Sequence, residues 1–371
     1  MISKRRAITL CVAFALLAAL AGAAATAYYV YTGPVGRIYG IVNLLDENFY
    51  KPVDREKVLE GAAGGVVLML GDPYSIFMNP KEWEEFNIRT SGEYSGIGVT
   101  IGVKGSRVQI APPMKGGPAD EAGLQGGDII LMVDGDTIHT SDEAAARIRG
   151  EAGTDVTLTI QRGEEVFDVT ITRRQIVVPA TNYSMQDGDI GYIELLSFNE
   201  HSAAETAHAL SDLKTQGAKA IILDLRYNGG GYVEQCRQIA ELFVPEGVLV
   251  TLRYKNKPDE VYRTTGEGLG MPLFVLVNEG SASASEILAG AIQDREAGIL
   301  IGEKTFGKGL VQGAFALKDG SVIKLTTAEY LTPAGRAIDG QGLEPNIPVT
   351  GDEEQLAKAL EMARAAIDQA K

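Results

Sequence analysis

Two apolar runs, residues 220–225 and 273–277, each pass through a turn into a helix-forming stretch. No other feature of the chain constrains its fold as tightly. Strand, turn and helix in that order make a βα unit, and repeated units assemble as an α/β structure. The core built from them is expected to span residues 175–350.

The first run continues into ILDLRYNGGGYVEQ, residues 222–235, where a strand meets a glycine-rich turn and then a helix. Backbone amides at such a turn point outward and can receive a developing oxyanion. Nucleotide binding is excluded on inspection, because no GK[ST] follows the glycines and the triplet is not GxGxxG.

The second run leads into NEGSASASEI, residues 278–287, which places small serines just before a helix. Farther on, GEKTFGKGLVQ, residues 302–312, sets Lys308 between Gly307 and Gly309. A serine hydroxyl is a poor nucleophile until a base takes its proton. Histidine usually does so, but His139, His201 and His208 are the whole supply and none is near the serines in sequence. A lysine can replace it only if desolvation keeps the amine neutral near neutral pH. Flanking glycines suit that requirement, since they admit a tight approach of packed backbone. Gln312 lies four residues after Lys308, so on one helical turn, or on a bend, its amide can reach and orient the amine. Spacing alone leaves Ser281, Ser283 and Ser285 equivalent.

Taken together these segments resemble the carboxyl-terminal processing proteases, PDZ-containing serine endopeptidases with a Ser/Lys/Gln catalytic set. The resemblance implies that Ser283 is the nucleophile, Lys308 the general base and Gln312 its orienting partner. It also implies an oxyanion hole made by the amide of Ala284 with that of Gly229 or Gly230. The implied fold is α/β, a crotonase-like ββα catalytic core with an inserted PDZ domain and a helical N-terminal region. Tyr330, Pro333, Gly335 and Gly340 match the family's closing segment. The chain departs from the family pattern at Gly229, usually proline, at Gly71 in GDPYS, usually aspartate, and at Asn346, usually aspartate.

Residues 91–174 are similar to a PDZ module. YSGIGVTI, residues 94–101, is the counterpart of its carboxylate-binding loop, and the resemblance implies peptide binding at Gly96, Ile97, Gly98 and Val99. A proline-led helix, an Asp134-Gly135 turn and a helix over residues 141–149 with Ser141 as its N-cap follow. Val156, Leu158 and Ile160 alternate with threonines as a half-exposed strand should. Arg149, ending the groove helix, is a candidate link between this module and the catalytic site.

Residues 35–90 are expected to be helical, with Ile38, Ile41, Leu44, Leu45 and Phe49 in a stripe that serves as core or as a homodimer contact. Residues 351–371 form a closing helix with Leu356, Leu360, Ala363 and Ile367 aligned. Residues 1–31 carry Lys4, Arg5 and Arg6 before an apolar stretch. They read either as a signal peptide ending in the A-x-A site at Ala25 and Ala27 or as an uncleaved single-pass membrane anchor, which the length of the stretch favours. Either way the catalytic body is expected outside the cytoplasm.

The chain's 371 residues allow two or three domains. The net charge is −15, and −18 without the three basic residues of the leader, which argues against nucleic acid and anionic headgroups as partners. Cys11 sits in the apolar stretch and only Cys236 remains beyond it, so no internal disulfide forms there. No metal or cofactor is expected; His201 and His208 lack the HExxH pattern. Ser211 and Lys214 make an SxxK pair without its KTG and SDN companions and read as a solvated helix face. The expected function is a PDZ-gated serine endopeptidase that acts near the C-termini of protein substrates. The alternatives are a non-catalytic PDZ scaffold or sensor, and an esterase or cell-wall hydrolase using the same nucleophile.

Overall fold

The computed structural model describes residues 4–105 and 107–370. They fall into two compact units, one taking in the chain through Trp83 with Gln312–Thr326, the other Glu84–Val311 with Thr327–Lys371.

In the first unit the helices Lys4–Thr32, Pro34–Asn48 and Arg55–Leu68 follow one another. Pro34 opens its helix where a missing N–H costs nothing, and Asp54 caps the next by accepting from Lys57 N at 3.1 Å. The short strand Ile76–Met78 pairs antiparallel with Val322–Lys324. The stripe on Pro34–Asn48 is not core: Val42 is buried, while Ile38, Ile41, Leu44 and Leu45 are exposed. Gly71 has φ +69°, a left-handed backbone that glycine adopts without strain, which accounts for the residue at that turn. The expected leader, residues 1–31, lies partly outside the described residues. Among the described residues no helix is long and apolar enough to cross a membrane, so the membrane-anchor expectation gains no support.

The second unit holds a PDZ-like part and most of residues 175–350, whereas Gln312–Thr326 belongs to the first unit. Its PDZ-like part is an antiparallel sheet ordered Ile101–Lys104, Arg107–Ile110, Ile129–Val133, Asp155–Arg162, Glu165–Thr172, with the helix Ser141–Ile148 packed on it. Val156, Leu158 and Ile160 are fully buried with Ile97, Ile110 and Ile130, as their alternation predicts. Asp134 and Gly135 both take positive φ, the backbone of a two-residue hairpin turn. One cap differs from expectation: Thr140, not Ser141, caps the groove helix, its hydroxyl accepting from Glu143 N at 3.1 Å. A two-stranded ribbon, Glu93–Gly96 against Arg174–Val177, carries the chain into and out of this part.

The core of the second unit is a six-stranded sheet ordered Thr181–Gln186, Ile190–Leu195, Ala220–Asp224, Leu273–Val277, Ile299–Gly302, Ile347–Pro348, parallel from its second strand onward. Every residue of Ala220–Asp224 and Leu273–Val277 is buried, as strands covered on both faces require. Ile221, Leu223, Val275 and Val277 pack with the helices Ser202–Thr215, Val233–Phe243 and Ala284–Asp294. Ile222, Phe274 and Leu276 face the other way, onto Ala359, Ala363 and Ile367 of the C-terminal helix Asp352–Gln369. Alternate side chains of each central strand thus bind opposite helical layers, and the strand ends that meet turns are left to build the site.

Candidate active site

Two buried carbonyls separate the serines that spacing could not. Ser281 Oγ donates to Leu225 O at 2.8 Å, and Ser285 Oγ donates to Asn228 O at 2.8 Å, so both hydroxyls brace the turn. Both residues are buried, whereas Ser283 is half-exposed. Ser283 also has φ +58° and ψ −114°, immediately before the helix Ala284–Asp294. A serine held at positive φ on a sharp strand-to-helix turn is strained.

The turn is held by Glu286, a wholly buried residue. Its Oε2 accepts from Ser283 N at 3.0 Å and from Lys308 N at 2.9 Å. Its Oε1 accepts from Gly307 N at 2.8 Å and from Thr305 Oγ1 at 2.6 Å. One carboxylate therefore fixes the backbones of the serine turn and the lysine loop to each other. Four donors compensate the desolvation that a buried carboxylate suffers. Tyr330, also fully buried, closes the arrangement: its hydroxyl donates to Lys308 O at 2.6 Å and lies 3.1 Å from Ser283 O. Burial, and then the neighbouring Glu286, pushes that hydroxyl's pKa well above the usual tyrosine range, so it stays a donor.

Lys308 is half-buried between glycines that do what their sequence implied. A Cβ on Gly307 would lie 2.9 Å from Gly342 N, and one on Gly309 would lie 2.3 Å from Asp339 N. Only glycine lets residues 339–342 pack this closely on the lysine loop. The helical turn suggested for Lys308 and Gln312 is not formed. Gln312 lies in the strand Leu310–Ala316 and belongs to the first compact unit, while Ser283 and Lys308 belong to the second. An extended strand does not stack residues four apart as a helix does.

The glycine turn stands against the serine. A Cβ on Gly230 would lie 2.8 Å from Ser283 Cβ, Ala284 N and Ala282 O. Gly230 N donates to Asn228 Oδ1 at 2.9 Å, and buried Asn228 also donates to Leu195 O at 2.6 Å. Gly229 has open space around its Cβ position. Cys236 is buried beneath, its thiol donating to Ala284 O at 3.3 Å and pushed far above the ordinary thiol pKa by burial. Glu286, Tyr330 and Asn228 carry the geometry although none of them was assigned a role at the site from the sequence. Glu286 had a legible signal, because Ser283-x-x-Glu286 is the spacing of a capping box; Tyr330 and Asn228 had none that pointed to these contacts.

On the PDZ side, Gly96, Ile97 and Val99 line a cleft of about 780 Å³, together with Ile148 and Arg149 of the groove helix and Val178, Pro179 and Leu196 of the core. Gly98 takes φ +75° and its carbonyl accepts from Met114 N at 3.0 Å. Arg149 thus lines the cleft between the module and the core wall. The ribbon is clasped to the core by Glu93, whose Oε1 lies 2.6 Å from His201 Nε2 and whose Oε2 accepts from Gln175 Nε2 at 2.9 Å. His208 stands edge-on to the Tyr183 ring at 6.2 Å, and Ser211 and Lys214 lie exposed on their helix.

Residues 189–349 match peptidase family S41, residues 109–162 match the PDZ domain, and residues 31–82 match the activating protease CtpB N-terminal domain. A protein of Staphylococcus aureus (strain N315) named "Probable CtpA-like serine protease" is 37% identical over 321 residues, covering 85% of this chain and 64% of that protein. A protein of the same name from Staphylococcus saprophyticus is 36% identical over 316 residues, covering 84% and 64%. The chain therefore spans less than two thirds of these relatives' length. Among solved structures, the photosystem II D1 C-terminal processing protease aligns over 90% of this chain and 92% of its own, with 29% identity and a TM-score of 0.52.

Proposed function

The chain belongs to the carboxyl-terminal processing proteases, and on that premise we propose that it is a serine endopeptidase cleaving extracytoplasmic proteins near their C-termini. Ser283 attacks the peptide carbonyl as Lys308 takes its proton, and Gln312 orients the amine. The oxyanion rests on Ala284 N and on a glycine amide, for which Gly229 is favoured because Gly230 N already bonds Asn228. The resulting acyl-enzyme is then hydrolysed by water.

The observation that carries this reading is the single Glu286 oxygen that binds both Ser283 N and Lys308 N. A scaffold without chemistry has no use for a strained serine wired to a lysine loop. The PDZ cleft would select the substrate's tail through Gly96, Ile97, Gly98 and Val99, with the ribbon coupling tail binding to the core as the gate. A PDZ domain over residues 91–174, a catalytic core over 175–350 of crotonase-like type and a homodimer through the exposed Ile38, Ile41 and Leu44 complete the proposal. The parallel strands Ile190–Leu195, Ala220–Asp224 and Leu273–Val277, each followed by a helix, support the core assignment.

Cleavage of casein, followed from about pH 5 to about pH 9, tests it: activity should rise with pH as the lysine amine loses its proton. Ser283→Ala and Lys308→Ala should fold and cleave nothing. A flat pH profile, or full activity in either variant, would overturn the assignment.

A further inference from the structure

The residue that opens the C-terminal helix reaches the glycine turn beside the serine. Asp352 accepts from the Tyr227 hydroxyl with both carboxylate oxygens, at 3.1 and 2.9 Å. Its main-chain carbonyl accepts from Arg226 Nη1 at 2.7 Å, and its Oδ1 lies 3.6 Å from the same nitrogen. Arg226 is itself clamped to buried Asp224, with Nε donating to both carboxylate oxygens at 3.0 Å. Arg226 and Tyr227 directly precede Asn228, Gly229 and Gly230.

Tyr227 is where the turn needs holding. Its φ is +59°, a left-handed backbone that a bulky side chain adopts only when its surroundings impose it. Its N–H donates to Asn278 Oδ1 at 2.9 Å, which fixes the backbone on the serine side. The residue is 64% exposed, so packing holds the side chain little, and the hydroxyl bond to Asp352 is its tether.

We propose that Asp352 is a positioning residue for the oxyanion turn, acting through Tyr227 and Arg226 to set Gly229 and Gly230 against Ser283. This rests on the reading of Ser283 as nucleophile and of the glycine turn as oxyanion site. The device ties the C-terminal helix, an element with no reacting group, to transition-state stabilisation. Asp352, Tyr227 and Arg226 are not among the residues that line the tail-binding cleft.

Steady-state kinetics on a peptide substrate test it in Asp352→Ala, Asp352→Asn, Tyr227→Phe and the double variant of Asp352→Ala with Tyr227→Phe. Displacing an oxyanion donor costs less than the hundredfold or more of deleting one, so kcat should fall about 5- to 20-fold in Asp352→Ala and in Tyr227→Phe, with KM little changed. Asp352→Asn keeps an acceptor oxygen for the phenol and should restore kcat to within about twofold of wild type, since only the charge is lost. The double variant should fall no further than the worse single, because both remove one interaction. Unchanged kcat, or full additivity in the double variant, overturns the proposal. So does a lowered thermal midpoint in Asp352→Ala with kcat intact, which marks a helix-terminal charge and nothing more. Wild-type turnover with a silent Ser283→Ala variant keeps the parent reading intact whichever way Asp352 behaves; absence of wild-type turnover overturns both.

Discussion

Glu286 Oε2 receives Ser283 N at 3.0 Å and Lys308 N at 2.9 Å, so residues far apart in sequence share one buried acceptor. Thr305 and Gly307 hold the other oxygen, which leaves the carboxylate no freedom to turn.

Glu286→Gln should therefore be costly although it is nearly isosteric. An amide presents NH₂ where one pair of donors needs an acceptor, and burying two unsatisfied donors costs about 2–6 kcal/mol. Denaturant unfolding should show that loss, together with loss of peptidase activity. Wild-type stability and turnover in the variant would refute the bridging role.

Two adjacent glycines should respond in opposite ways. Gly230→Ala places a methyl 2.8 Å from Ser283 Cβ, Ala284 N and Ala282 O, at φ +98°. If Ala284 N is an oxyanion donor, pushing it aside should cost on the order of 100-fold in kcat. Gly229→Ala meets nothing within 4 Å, keeps its amide and should stay close to wild type. Equal rates for the two variants would show that the turn is not apposed to the serine.

The PDZ-like part should carry an acid limb in its stability. Burial pushes the Asp128 carboxyl up, but hydrogen bonds from Arg162, Nε and Nη2 both at 2.7 Å, and from Gln125 N outweigh it and hold its pKa below the ordinary value of 3.8. A lowered native pKa gives stability that is complete above the unfolded value and lost as pH falls through the folded one. Arg162→Met removes the strongest opposing partner, so the acid transition followed by circular dichroism should move to higher pH. Coincident acid transitions would refute the pairing.

The clasp between Glu93 and His201 should govern how often the ribbon opens. Both side chains are about one third exposed, so solvent screening keeps the pair below about 1 kcal/mol and the effect to a few-fold. Glu93→Ala should speed amide hydrogen exchange in Glu93–Gly96 and Arg174–Val177 by that factor, with the central sheet unchanged. Exchange that is identical in both proteins would show that the ribbon is held by its backbone alone.

Much of this architecture is written locally. Consecutive apolar residues at 220–223 and 273–277 specify buried parallel strands, because only a strand covered on both faces can bury consecutive side chains. The closeness around Lys308 was legible from Gly307 and Gly309, since a missing Cβ is itself a statement about space. The helical turn at Gln312 was inferred from spacing and is not formed, because Gln312 lies in an extended strand; the membrane anchor was inferred from composition and gains no support among the described residues. The stripe at Ile38, Ile41 and Leu44 shows the same limit: periodicity reveals that a face is apolar, not what covers it.

Sequence alone determined which residues can carry the chemistry, the order of strands, turns and helices, and where only glycine fits, because those follow from side-chain type and short-range sterics. The tertiary structure decided which of three serines is left half-exposed, that Glu286 joins serine to lysine loop, and that Asp352 reaches Tyr227. Those contacts depend on distances between segments far apart along the chain, and such distances exist only once the sheet has brought its strand ends together.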